Sequence, residues 1–244
     1  MRKPITIAIV FMIAFTLTIT GQPLSNPKAS KPVELPENLE AANAVARLGD
    51  LTRPVLRETL KRMRPPAYLP DQDFLHKIVA AYGLPLVSNQ RTAQLKATLQ
   101  PVLAYHQREQ MSILVVASDQ PKANLVDCLA IVITTKLMSM SSEAEIRGIV
   151  AHELAHEYVW DDGIKAMKAK DWKLRRECEL FCDVVAAFTL KEIGDDPASY
   201  FRILQAMAIF DIRAGHYAAR HESDTHPALA VRKKLNEFLC QRLD

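Results

Sequence analysis

Two short runs, MSILVVAS at 111–118 and LAIVITTK at 129–136, are nearly all apolar and rich in β-branched residues. Runs of that length and make-up predict strands. Polar DQPKAN (119–124) lies between them, and the interval predicts two strands paired antiparallel across a turn. The pattern then changes period. In SMSSEAEIRGIVAHELAHEYVW (139–160), Ile146, Ile149, Val150, Leu154 and Val159 recur at helical spacing. Ser141 or Ser142 can cap this helix, Glu143 and Glu145 suit its first turn, and Asp161-Asp162-Gly163 is expected to end it.

The rest of the pattern is helical. Helices are expected from Pro36 to about Arg64 with breaks near Gly49 and Pro54, over 72–82, and over 91–108. Another covers about Asp171 to Ile193, closed by Gly194. A further one starts at Pro197 and runs to about Ala214, and the last is opened by Pro227 and reaches about Arg242. GHYAARHESDTHP (215–227) reads as a loop. The fold class that follows is α+β, mostly helical, with a small antiparallel sheet before the motif helix.

The first residues stand apart. Arg2 and Lys3 precede an uncharged, mostly apolar stretch from Ile5 to Thr20, followed by polar, proline-containing sequence. This is the layout of an export signal, and its 16-residue apolar part is short for a membrane-crossing helix. The expected organisation is a signal peptide or N-terminal anchor at 1–21, a linker at 22–36 and a single domain at 37–244. That domain divides into an N-terminal helical part (37–108) and a core (109–244). The chain is expected to be periplasmic or secreted, or held at the outer face of a membrane by its N-terminus.

Composition narrows the function. The formal charge is +3 and no basic-aromatic pattern occurs, so nucleic acid is not an expected partner. The seven glycines form no phosphate-cradling loop. Four cysteines, Cys128, Cys178, Cys182 and Cys240, suggest a disulfide in an exported protein. Cys178 and Cys182 are poorly placed to bridge each other on a helix, so one of them is expected to pair with Cys128 or Cys240. Four buried thiols are the alternative.

The chemistry lies in VAHELAHE (150–157). Residues four apart on a helix differ by about 40° around its axis, so His152 and His156 share a face and can grip one metal ion. Glu153 flanks that face, where it can act as general base toward a metal-activated water. RRECELFCDVVAA (175–187) offers the third ligand. Glu179 and Asp183 are again four apart, among Leu180, Phe181, Val184, Val185 and Phe188, company in which a carboxylate must be paired or metal-bound. Glu179 completes a two-His, one-Glu set, and Asp183 can hold the outer N–H of a ligand histidine. Glu177 competes for the third place from another helical face.

The segment from about 111 to 235 resembles the HtpX-like and CAAX-prenyl-endopeptidase-like zinc metallopeptidases, a branch of the gluzincins, through AHELAHE, ECELFCD and THPALAVR. The resemblance implies a gluzincin-like metallopeptidase domain with one Zn2+ per chain on His152, His156 and Glu179. It also implies that His226 and Arg232 lie near the metal as catalytic residues, stabilising the oxyanion or positioning the acid side, with His221 and His216 as rivals to His226. It implies a polypeptide substrate paired as an extended strand with LAIVITTK or MSILVVAS. VDCLA (126–130) stands where many relatives have a glycine-rich turn. The expected function is therefore that of a zinc endopeptidase acting on proteins outside the cytoplasm. A metal-stabilised polypeptide-binding or chaperone-like module that does not cut is the alternative.

Overall fold

The computed structural model describes residues 36, 38–49, 52–63, 73–86, 90–214 and 226–243. The expected export segment at 1–21, the expected linker up to residue 35, and His216 and His221 lie outside the described residues. Helices α1 (Leu39–Ala46), α2 (Arg53–Met63), α3 (Phe74–Tyr82) and α4 (Gln90–Tyr105) come first. Strands β1 (Ser112–Val116), β2 (Ala123–Val126) and β3 (Ala130–Thr134) follow, then α5 (Thr135–Met140), α6 (Glu143–Ala155) and a 3-10 turn (His156–Val159). The chain continues with α7 (Trp160–Ala169), α8 (Trp172–Glu192), α9 (Ala198–Arg213) and α10 (Leu229–Arg242). The α+β, mostly helical class is what the periodicities predict.

The sheet differs from the prediction. Its order is β1-β3-β2: β1 and β3 are parallel, and β2 is antiparallel to β3. The segment expected to be a turn contributes the start of a third strand. The real hairpin turn is Val126–Leu129, closed by Leu129 N–H donating to the Val126 carbonyl at 2.9 Å. Asp127 and Cys128 have φ of 48° and 56°. Those left-handed values are what a hairpin turn requires and what glycine would normally supply. An apolar run specifies a strand but not its partner, and no glycine marked this turn.

β3 is buried along its whole length. Ile131 and Ile133 face a core shared with Leu99, Leu103, Ile149, Val150 and Leu154. Ala130 and Val132 face Phe74 and Ile78 on the other side. A strand covered on both faces reads as continuously apolar, which explains its sequence. Thr134 ends β3 and its side chain accepts from Leu137 N–H, starting α5.

α8 is the central helix. Every residue from Glu177 to Leu190 is buried, and α6, α1, α7 and α10 pack around it. The start of α6 is fixed by a capping box, in which the Ser142 hydroxyl accepts from Glu145 N–H and the Glu145 carboxylate accepts from Ser142 N–H. The motif helix does not run on to Gly163. It gives way to the 3-10 turn, and Asp161 and Asp162 instead occupy the first turn of α7, where acids oppose the helix dipole favourably.

No cysteine is joined to another. Cys128, Cys178, Cys182 and Cys240 are all thiols. Cys178 and Cys182 are buried thiols in the core along α8, and the expected disulfide is absent.

Candidate metal centre

α6 and the turn after it present both motif imidazoles to one carboxylate on α8. His152 Nε2 is 3.4 Å from Glu179 Oε2, and His156 Nε2 is 3.9 Å from Glu179 Oε1. The three donor atoms all lie within 4.8 Å of one another. Bonds of about 2.0–2.2 Å to one tetrahedral ion place ligand atoms roughly 3.3 Å apart, so the set suits zinc. Glu179 Oε1 is buried, and no donor meets it in hydrogen-bonding alignment. Arg175 Nη2 lies 2.8 Å from it as an ion pair one helical turn away. A buried carboxylate oxygen left with acceptor capacity is what a metal ligand requires.

Both histidines turn Nε2 inward and Nδ1 outward. Nδ1 of His152 is 3.0 Å from Asp183 Oδ1 and 2.7 Å from the Tyr200 hydroxyl. Nδ1 of His156 meets the Cys182 thiol at 3.4 Å. Arg232 grips Asp183 with both arms, Nε to Oδ2 at 2.8 Å and Nη2 to Oδ1 at 2.5 Å, and also donates to the Tyr200 hydroxyl. The Tyr200 hydroxyl donates to Asp183 Oδ1 at 2.6 Å. Partners of this kind fix the tautomer and angle of metal-ligating histidines.

Charge follows from these contacts. Burial opposes ionisation of Asp183, but Arg232 outweighs it and holds the carboxyl down at about 2. Burial alone would lower His152, but its hydrogen bonds to Asp183 and Glu179 raise it to about 9. Burial pushes His156 down to about 4. Burial also works against the Glu179 carboxylate, yet the two imidazoles hold it well below the usual range. A site that stabilises an imidazolium beside a carboxylate favours positive charge, and an arriving cation displaces that proton.

Glu153 is separate from this ligand set. Burial raises its carboxyl to about 7, and its Oε2 accepts from Leu125 N–H of β2 at 2.9 Å. Glu153 is therefore held by the edge of the sheet.

The site opens into a cleft of about 1070 Å3, lined by β2, α7 and α9. Ala123, Asn124 and Leu125 form one wall, Trp160, Ile164 and Met167 another. Only one strand of the sheet presents an open edge to this cleft among the described residues. β3 lies between two strands, and the outer side of β1 is joined by Pro85 and Leu86, with Leu86 N–H donating to the Val115 carbonyl at 2.7 Å. β2 is the edge that borders the cleft, although neither predicted strand included it.

Among the remaining sequence-derived residues, His226 Nε2 lies 3.9 Å from Glu179 Oε2, with its side chain 52% exposed. Arg232 is largely buried on Asp183 and also lines the cleft. Glu177 points elsewhere and accepts from Asn43 Nδ2 at 2.7 Å, so it does not reach the centre. Tyr200, Arg175 and the Leu125 amide were not singled out in the sequence. Gly148, inside a well-capped helix, was the one local signal that something packs closely there.

The geometry is of the metallopeptidase type. Residues 89–171, about a third of the chain, match Peptidase family M48. This agrees with the HtpX-like resemblance and supports a metallopeptidase, a hydrolase of peptide bonds. No curated protein matches the chain. The matched segment contains His152, Glu153 and His156 and stops before Glu179, Asp183, His226 and Arg232. Folding alone brings those later residues to the motif.

Proposed function

We propose that the chain is a zinc-dependent endopeptidase that cleaves polypeptides outside the cytoplasm. One observation carries this reading: His152, His156 and Glu179 converge from two helices with Glu153 beside them on the cleft. Bound there, zinc supplies Lewis acidity and acidifies a water molecule. Glu153, with a carboxyl near 7, takes a proton from the attacking water at neutral pH and returns it to the leaving amine. Leu125 N–H keeps that carboxylate aimed. His226, partly exposed beside Glu179, is placed to donate to the carbonyl oxygen as negative charge grows on it. Arg232 acts through Asp183, which it holds beside His152.

The substrate lies as an extended strand along β2, whose outer edge borders the cleft. Export is supported by the basic, apolar, polar layout of the first 21 residues. Among the described residues, no helix is long and apolar enough to cross a membrane.

The test is digestion of an unfolded protein substrate by wild type and by Glu153→Gln, with and without chelator. Glu153→Gln keeps its zinc and loses activity by about 10^2–10^4-fold. Undiminished cleavage by that variant, or cleavage that survives complete metal removal, overturns the reading.

A further inference from the structure

We infer that Tyr200 is a positioning residue for the metal centre, and that the missing side chain of Gly148 is what lets its phenol reach His152. The inference rests on the zinc-site reading above.

Tyr200 is 2% exposed, and its ring stacks on the His152 imidazole with 5.3 Å between centroids and 18° between planes. A core aromatic needs no more than that. The hydroxyl, however, sits at a junction of three polar groups: His152 Nδ1 at 2.7 Å, Asp183 Oδ1 at 2.6 Å, and the Arg232 guanidinium. Counting protons assigns the roles. Arg232 can only donate, and ionised Asp183 can only accept. The phenol proton goes to Asp183, which leaves the phenol oxygen to accept. His152 must then carry a proton on Nδ1, which leaves Nε2 as the nitrogen that would ligate a metal ion once its own proton is displaced. Tyr200 and Asp183 together thus select the ligating tautomer. The hydroxyl lies on the Nδ1 side of the ring, opposite the atom that faces Glu179, and its hydrogen bonds go to these three groups.

Gly148 makes this approach possible. It lies one helical turn before His152 on α6, against α9. A Cβ there would stand 2.9 Å from Tyr200 Cβ and 3.0 Å from Tyr200 Cα. The second of these is backbone, so α9 itself would have to retreat and draw the phenol off His152.

The experiment measures zinc affinity by competition with a chromophoric chelator for wild type, Tyr200→Phe and Gly148→Ala, with melting curves as a check on folding. Tyr200→Phe keeps the stacked ring and loses only the oxygen. It is expected to bind zinc about 10–100-fold more weakly. At saturating zinc its KM should stay within about threefold of wild type, because the phenol's hydrogen bonds go to His152, Asp183 and Arg232. The cobalt-substituted protein should show an altered visible spectrum. If Tyr200→Phe does not fold, folded Gly148→Ala must show the same weakening. A folded variant with wild-type zinc affinity overturns the inference, as does a KM raised beyond that range at saturating zinc, which would put the phenol on the substrate. A wild type that binds no zinc refutes the zinc-site reading and this inference with it. Zinc-binding wild type with an unaffected Tyr200→Phe refutes only the inference.

Discussion

Gly148 and Tyr200 are in contact across the α6–α9 interface, with no room for a methyl group between them. Two opposing effects decide what alanine does there. In an open helix, Gly→Ala gains roughly 1 kcal/mol of helix propensity. Forcing a carbon into a packed interface costs about 1–3 kcal/mol. Here the obstacle includes backbone of α9, so overpacking wins. Gly148→Ala is expected to lower stability by about 1–2 kcal/mol in urea denaturation. A stabilised variant would mean that α9 is free to shift.

Asp183 and Arg232 form a buried, two-armed ion pair. Removing one member of such a pair leaves the other charge uncompensated, at about 3–5 kcal/mol. Asp183→Asn should be destabilised by that order. The double variant Asp183→Asn/Arg232→Met should lose less than the two single changes added together. Strict additivity in that cycle would show that the pair does not interact.

The same pair sets an acid limit. The Asp183 carboxyl is held at about 2 in the folded protein, below its ordinary value of 3.8. A depressed carboxyl stabilises the fold fully above its unfolded value, and that stability is lost as pH falls through the folded value. In the metal-free protein, denaturation midpoints should therefore fall between about pH 4 and pH 2. The Asp183→Asn/Arg232→Met variant should show a shallower fall across that window. An equal slope would remove Asp183 as a cause.

Much of this was legible in the sequence, and the gaps have a pattern. The period-3.6 segments became helices because they have apolar faces to bury, and α8 is buried all round over 177–190. His152, Glu153 and His156 could be read from a single turn, and Glu179 from an acid set among Leu180, Phe181 and Val184. The strand partners could not be read. Pairing depends on where the chain turns, and the turn at Asp127-Cys128 takes left-handed backbone without glycine. Tyr200 was invisible for another reason. Its three polar partners come from α6, α8 and α10, so nothing near it in the chain marks it. The cysteine count allowed either a disulfide or four thiols, and the structure has the thiols.

The sequence allowed either Ser141 or Ser142 as the cap of the motif helix, and the structure places Ser142 there. The Ser141 hydroxyl donates to the Leu137 carbonyl at 2.7 Å. Ser142→Ala should therefore cost about 1 kcal/mol, the ordinary worth of an N-cap. Ser141→Ala should cost less, since a single partly exposed hydrogen bond is lost. Thermal melts of the two variants give the order directly, and the reverse order would move the helix start.

The central claim is that one zinc ion is held jointly by two imidazoles of the motif and a carboxylate of α8. Anomalous diffraction at the zinc edge, from crystals of the wild-type protein grown with zinc, tests it most directly. The account predicts one strong peak at about 2 Å from His152 Nε2, His156 Nε2 and a Glu179 oxygen. A zinc peak coordinated without Glu179, or a cleft without any peak in zinc-loaded crystals, would contradict it.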